Sequence, residues 1–221
     1  MKKFPFPIKL HSGLTPVESQ KYADTSKVKW YHDNGINILF HNGGDYILKW
    51  GGKTTYGSEL IAVFDGTIVK NTFDFPMSTK GNGLTLESDP FVDDDGIKKI
   101  IQVVYWHNSK NVITAGRVKK GETIALVGNS GLVDPKPTFT QPFNGAHVHF
   151  MVFVYHWINN VWVLQEADNG VGGAQDPMKF INLNEVVYGK DAPENDLPAF
   201  QWAVSGLVEL IRNFIKGRKA I

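Results

Sequence analysis

The chain has 221 residues, a formal net charge of +1 and no cysteine. This length is enough to bury a sizeable core in one main domain with additions. The balanced charge gives no electrostatic reason to expect a nucleic-acid partner. The lack of cysteine excludes disulfides and thiolate metal sites, so any zinc must be held by His, Asp or Glu.

The N-terminal residues 1–17 are spotted with proline and lysine, which predicts an arm. Pro5, Pro7 and Lys9 interrupt what would be the apolar part of a signal peptide, so we expect no signal peptide here. Thr15-Pro16-Val17-Glu18 is typical of a helix start and predicts a short helix or turn after the arm, without a part in catalysis. His11 is expected to be a surface residue.

His41 and Asp45 are four residues apart, which on a helix would place them on one face. The intervening Asn42-Gly43-Gly44 argues against a helix and favours a loop that leads into a strand. The glycines would let the backbone turn so that both side chains reach a common point. Taken alone, the motif would favour a glycine-rich turn with an incidental histidine.

Short apolar runs separated by Gly-rich turns continue to residue 185, and they predict an antiparallel β domain over 18–185. Two strands are expected around Asp65-Gly66, and a hairpin is expected to pair Phe153–Trp157 with Val161–Leu164. The tip Asp93-Asp94-Asp95-Gly96 suggests either a calcium loop or a solvated hairpin turn. Its contiguous carboxylates favour the turn.

Two histidines precede the apolar run Phe150–Val154, which predicts a buried strand. Because side chains alternate along a strand, His147 and His149 share a face and lie about 7 Å apart. Two imidazoles on an apolar strand are costly to bury unless a partner such as a metal binds them. His107 ends another strand at an expected loop edge, where functional side chains are common, and His156 is expected to be structural or at the surface.

Seven short motifs follow one another along residues 18–183. In chain order they are His41-Asn42-Gly43-Gly44-Asp45, Ala62-Val63-Phe64-Asp65-Gly66, Gly81-Asn82-Gly83, Tyr105-Trp106-His107, Val118-Lys119-Lys120-Gly121, His147-Val148-His149 and Asp176-Pro177. In this order they resemble the lysostaphin- and LytM-like zinc endopeptidases of metallopeptidase family 23, which cut peptidoglycan peptides.

The resemblance implies that His41, Asp45 and His149 bind Zn²⁺ and that His107 and His147 are catalytic histidines that do not bind the metal. Three nitrogen and oxygen ligands would leave a fourth position for water, which is the pattern of a catalytic zinc site. A histidine beside that water can accept its proton and later protonate the leaving amine. Which of the two histidines is the base stays open at this point.

Departures from the family pattern lie mainly in loops. The segments 46–61, 89–98 and 132–144 look extended and are expected to form walls of the substrate groove. They leave open whether a glycine bridge or a stem peptide is cut. Met151 stands where the family often has a carboxylate or an amide.

The segment 186–221 predicts a polar linker followed by an amphipathic helix, because apolar residues recur at helical spacing from Phe200 to Ile215. The favoured interpretation is a helix that packs on the domain or on a second copy. The alternative is that the basic helix within 197–221 binds a membrane surface.

Together these patterns predict a mainly β protein, an antiparallel sheet with long loops around a groove, that acts as a zinc-dependent endopeptidase on peptidoglycan cross-links or stem peptides. The expected setting is a phage-type lysin, made in the cytoplasm and released or carried in a virion, that acts on the cell wall. The rival hypotheses are an inactive wall-binding protein and a virion structural protein with a zinc site. A structural zinc would have four protein ligands.

Overall fold

A computed structural model describes residues 2–11, 14–49, 55–73 and 79–189. The amphipathic helix predicted within 186–221 lies outside these residues. No helix in the described ranges is long and apolar enough to cross a bilayer. The predicted mainly β, antiparallel fold is confirmed.

The described residues contain twelve strands and two short helices. In chain order they are β1 Thr15–Gln20, α1 Val28–Asp33, β2 Gly44–Lys49, β3 Glu59–Ile61, β4 Gly66–Thr72, β5 Asn82–Ser88, β6 Phe91–Val92, β7 Lys98–Asn108, β8 Lys110–Asn111, β9 Gly116–Val118, β10 Thr123–Leu126, β11 Val148–Ile158, β12 Val161–Leu164 and a 3-10 helix Pro177–Lys179.

The large sheet has the strand order β1-β2-β11-β7-β5-β4-β9, with β12 added beside β11 and β6 beside β7. A second sheet has the order β3-β10-β8. The two longest strands, β7 and β11, pair antiparallel from His149↔Trp106 to His156↔Lys99. The predicted hairpin across Asn159-Asn160 is confirmed, since β11 pairs with β12 there.

Along β11, side chains point alternately to the two faces of the large sheet, one of which packs on the core. Val148, Phe150 and Val152 are fully buried and belong to the main apolar cluster. The intervening residues, beginning with His149 and Met151, point to the other face. The core therefore lies on one side of the large sheet, and the candidate site lies on the other.

The N-terminal segment contributes to the core. Phe4, Phe6, Ile8 and Leu10, expected to lie in an arm, are at most 5% exposed and pack in the same apolar cluster as Phe150. Since alternate residues are apolar, the segment follows strand periodicity, and it makes isolated bridges to other parts of the chain, such as Ile8 with Leu60.

The helix predicted from Thr15-Pro16-Val17-Glu18 is wrong, because these residues open strand β1. They pair with β2 at the edge of the large sheet, where Val17 lies opposite Ile47. Long-range pairing outweighs a local helix-start signal, and proline is tolerated in a strand at a sheet edge. The only α-helix in the described ranges, α1, begins thirteen residues later at Val28.

The structure also tests what was expected of two turns, Asp65-Gly66 and the aspartate tip Asp93-Asp94-Asp95-Gly96. The strands on either side of Asp65-Gly66 exist, but β3 belongs to the small sheet and β4 to the large one, so they do not form a hairpin. The aspartate tip is a hairpin turn, and the Lys99 ammonium lies 2.9 Å from Asp93 and 2.5 Å from Asp95. A lysine thus occupies the position between the carboxylates that a cation would need.

Candidate metal centre

Strand pairing brings the predicted ligands together. Asp45, the second residue of β2, lies directly opposite His149 of β11. His41 precedes β2 and is held by two backbone hydrogen bonds, from its own N–H to the carbonyl of Asp24 and from the N–H of Ala23 to its carbonyl. The loop-to-strand transition predicted for His41 and Asp45 is therefore the observed arrangement.

Three potential ligand atoms converge on one point. His41 Nε2 lies 3.0 Å from His149 Nδ1 and 3.2 Å from Asp45 Oδ1, and His149 Nδ1 lies 2.8 Å from Asp45 Oδ1. With zinc–ligand distances of about 2.0–2.1 Å, the ligand atoms of a tetrahedral site lie about 3.3–3.4 Å apart. The three atoms would need to separate by only about half an ångström to fit zinc.

The electrostatics of this triangle favour a cation. Burial opposes ionisation of Asp45, but the neighbouring His147, His149 and His41 outweigh it and hold the pKa of Asp45 well below its ordinary value. Burial lowers the pKa of His149, which favours its neutral, metal-binding form. Burial also acts to lower the pKa of His41, yet the hydrogen bond and charge of Asp45 raise it. A buried carboxylate facing two imidazoles is a donor set that zinc accepts.

Backbone carbonyls set the orientation of three histidine rings. The Nδ1 atoms of His41, His107 and His147 lie 2.9, 2.7 and 2.7 Å from the carbonyls of Lys21, Ser130 and Gly145. A carbonyl only accepts, so each Nδ1 carries the proton and each Nε2 is left as a base or a ligand.

His149 has the opposite orientation. Its Nδ1 faces the triangle, and its Nε2 is buried without a hydrogen-bond partner. A Cβ added at Gly43 would lie 2.8 Å from His149 Nε2 and 2.8 Å from the carbonyl oxygen of Phe150. Gly43 is thus required by the close approach of the backbone to this ring.

The two predicted catalytic histidines lie beside the triangle. The rings of His107 and His147 have centroids 4.7 Å apart, and His107 lies 6.1 Å from the ring of His149. His147 Nε2 lies 3.6 Å from Asp45 Oδ1. Burial, followed by the neighbouring His147 and His149, lowers the pKa of His107 to about 3.

His107 reaches this position through an irregularity in β7. The pairing of β5 with β7 shifts register between Asn82 and Leu84, and His107 has a φ of +66°. Regular alternation would send its side chain toward the core beside Tyr105. A bulge with a left-handed residue turns the ring toward His147 instead, at a conformational cost of about 1–3 kcal/mol.

A cavity of about 250 Å³ opens above these residues. Leu132, Val133 and Asp134 form part of its wall, so the loop 132–144 contributes as expected. None of the described residues of 46–61 and none of the residues of the hairpin 89–98 lines it. The described residues of these two segments are therefore not walls of this cavity, and their expected role in a substrate groove stays a prediction.

Several wall residues were missed because they lie where the sequence predicted no catalytic role. They come from β1, from α1 and from the residues on either side of α1, and they are Ser19, Gln20, Lys27, Trp30, Tyr31, Ile36 and Ile38. Tyr31 lies almost parallel to His41, with ring centroids 6.4 Å apart and an interplanar angle of 6°. In the sequence, the only signal for this wall is the adjacent aromatic residues Trp30 and Tyr31, about ten residues before the expected ligand His41.

No protein-family model and no curated protein matches this chain. Solved structures that are similar include a zinc-containing peptidase from Vibrio cholerae, at 22% identity and a TM-score of 0.44, over 74% of this chain and 39% of that one. The SpoIIQ–SpoIIIAH pore-forming complex matches at 21% identity and a TM-score of 0.46, over 82% and 92% of the two chains. A LytM protein from Ruminococcus gnavus, assigned as a glycyl-glycine endopeptidase, matches at 15% identity and a TM-score of 0.41, over 85% of this chain and 64% of that one.

This chain thus spans 39% of the length of the Vibrio cholerae chain and 64% of the Ruminococcus gnavus chain. The membership in metallopeptidase family 23 that the sequence motifs imply stays a prediction, as do the individual roles of the five site residues.

Proposed function

We propose that this chain is a zinc-dependent endopeptidase that hydrolyses peptide bonds in bacterial peptidoglycan. The observation that carries the proposal is the convergence of His41 Nε2, Asp45 Oδ1 and His149 Nδ1 within 3.2 Å of one another, with two further histidines beside them. Three ligands and an open cavity are typical of catalytic zinc, whereas structural zinc takes four protein ligands. The choice of peptidoglycan as substrate is supported by the order of the sequence motifs.

His41, Asp45 and His149 would hold the metal, which when bound would polarise the scissile carbonyl and acidify a water molecule. The remaining chemistry falls to the chain's own side chains. They must bind and orient the peptide, accept a proton from the attacking water and return one to the leaving amine.

We assign the proton transfer to His147. Its Nδ1 donates to the carbonyl of Gly145, which leaves Nε2 as the basic atom. Nε2 lies 3.6 Å from Asp45 Oδ1, so the basic atom is beside the ligand triangle. His107 instead stays neutral near neutral pH, because burial lowers its pKa to about 3. A neutral His107 orients water or substrate by hydrogen bonding at Nε2.

The experiment is release of free amino groups from purified peptidoglycan, with and without a chelator. Wild-type protein should release them, lose the activity on chelation and regain it with zinc. His149→Ala should be folded and inactive, because the core does not depend on the ligand. His156→Ala, which alters a histidine of β11 outside the site, is the matched control and should stay active. No release from any wall preparation by zinc-loaded protein contradicts the proposal.

A further inference from the structure

A second cavity of about 490 Å³ adjoins the candidate metal centre. It shares Asn42, Thr79, Lys80 and Trp106 with the cavity above the ligand triangle. The two form one continuous surface on the open face of the large sheet. A peptide with its scissile bond at the triangle would therefore extend over the second cavity.

The floor of the second cavity is apolar. Val104 of β7 and Met151 and Phe153 of β11 line it, and Met151 follows His149 by two residues on the same face. Val104 and Met151 lie opposite each other in the strand register. Apart from the hydroxyl group of Thr85, this floor suits a small apolar side chain and offers no partner to a charged one. It also gives Met151 a role, since a carboxylate or an amide there would make the floor polar.

The rim of the cavity carries positive charge. Among the described residues, Lys70 and Lys80 are the only charged ones that line it, and no described carboxylate does. Neither lysine forms an ion pair in the described ranges, whereas Lys27 in the neighbouring cavity is paired with Asp134 at 3.1 Å. The two ammonium groups are exposed and available to an anion.

Lys80 is placed by contacts with the site itself. Its Nζ lies 5.0 Å from the centroid of the Trp106 ring, a cation–π distance. Its carbonyl accepts a hydrogen bond from the backbone N–H of His107 at 3.3 Å. The positive charge is therefore held between the predicted catalytic residues and the second cavity.

We propose that this cavity binds a peptide segment that carries a free carboxylate beside a small apolar side chain. Resting on the function proposed above, this selects the stem peptides of peptidoglycan over the glycine bridge as substrate. Stem peptides contain alanine methyl groups and free carboxylates. A glycine bridge has neither side chains nor charge, so it would leave both the apolar floor and the two lysines without partners.

Binding tests this independently of cleavage. The full-length protein is titrated with a soluble stem peptide that bears its free carboxylates and with the same peptide amidated at those groups. We expect the acid form to bind about tenfold more tightly, a difference of about 1.4 kcal/mol. Lys70→Gln and Lys80→Gln should each lower affinity for the acid form more than affinity for the amide, and should so remove most of that preference.

Lys110→Gln is the matched control, because Lys110 is exposed on β8 and lines neither cavity. It should bind both peptides as wild type does. Equal affinity of wild type for acid and amide overturns the inference. An acid preference that survives both lysine substitutions overturns it as well, since the carboxylate would then be bound elsewhere.

Cleavage assays separate this inference from the proposed function. Walls cross-linked directly between stem peptides should be cut faster than walls cross-linked by glycine bridges, and the lysine variants should lose that advantage. Preferential cutting of glycine bridges overturns the inference and leaves the endopeptidase proposal standing. Failure to cut any wall contradicts the endopeptidase proposal, while the acid-to-amide ratio in the binding assay still decides the inference.

Discussion

The indole of Trp106 lies almost flat on the imidazole of His149, with ring centroids 5.1 Å apart and an interplanar angle of 14°. The two residues are partners in the β7–β11 register, so the stack follows directly from strand pairing. His149 Nδ1 contacts Asp45 Oδ1 at 2.8 Å, whereas His149 Nε2 has no hydrogen-bond partner, so the Trp106 stack adds packing to the polar contact that orients this ring. We therefore expect Trp106 to be a positioning residue for the candidate metal centre.

Trp106→Leu should weaken zinc binding by about tenfold or more, because groups that orient a ligand commonly contribute 10–100-fold to metal affinity. Competition with a chromogenic chelator measures the effect. Trp157→Leu, on the distant β11–β12 hairpin, is the control and should leave zinc affinity unchanged. Equal affinities of the Trp106 variant and wild type would show that the stack does not orient His149.

Gly43→Ala should weaken zinc binding and destabilise the fold together. The added methyl group would lie 2.8 Å from both His149 Nε2 and the Phe150 carbonyl oxygen, so the ring or the strand must shift. Overpacking of this kind costs about 1–3 kcal/mol. Urea unfolding of the zinc-free protein gives the loss of stability, and chelator competition gives the loss of affinity. A variant with native zinc affinity would contradict the close approach of Gly43 to His149.

His147→Gln should lower kcat by about 10²–10⁴-fold, the usual contribution of a general acid–base group. Its zinc content should stay that of wild type, because His147 is not among the three converging ligand atoms. Metal analysis of the purified variant, beside initial rates on peptidoglycan, separates the two effects. Loss of zinc from this variant would instead make His147 a ligand. His156→Gln is the matched substitution on the same strand and should retain the wild-type rate.

Lys99→Met should destabilise the aspartate hairpin near neutral pH, because two carboxylates lose their charged hydrogen-bond donor. The hydrogen bonds from Lys99 lower the pKa of Asp93 and of Asp95. Their stabilising contribution is thus present above the unfolded pKa of about 4 and is lost as the pH falls through the folded values.

The difference in stability between wild type and the Lys99 variant should therefore shrink as the pH falls from about 7 to about 3.5. Thermal unfolding of both proteins at the two pH values checks this. The control is Lys98→Met. The ammonium group of Lys98, the residue next to Lys99, lies over the Trp157 ring and makes no ion pair with a described residue. A difference that is constant with pH would mean that Lys99 stabilises by packing alone.

The strand pattern and the ligand motifs were predictable from local sequence. Alternation placed His147 and His149 on one face, and the glycines before β2 marked the turn that brings His41 to Asp45. The position of His107 was not predictable in the same way. Its ring reaches His147 only because a register shift and a positive φ override alternation, and both arise from pairing with β5.

The structure of the N-terminal residues also depends on tertiary contacts. The residues with a helix-start signal at Thr15 form a strand because they pair with β2, and Phe4 and Phe6 are core residues in contact with Phe64 and Tyr46. The wall around Tyr31 depends on the same long-range packing. Local patterns do not encode such contacts, since they depend on which strands become neighbours.

The most direct test of the account is a crystal structure of the zinc-loaded protein with anomalous data collected at the zinc edge. The account predicts a single peak about 2.0–2.2 Å from His41 Nε2, Asp45 Oδ1 and His149 Nδ1, with a fourth position open to solvent beside His107 and His147. A fourth protein ligand would make the site structural. The absence of a peak at these three residues would contradict the metal centre itself.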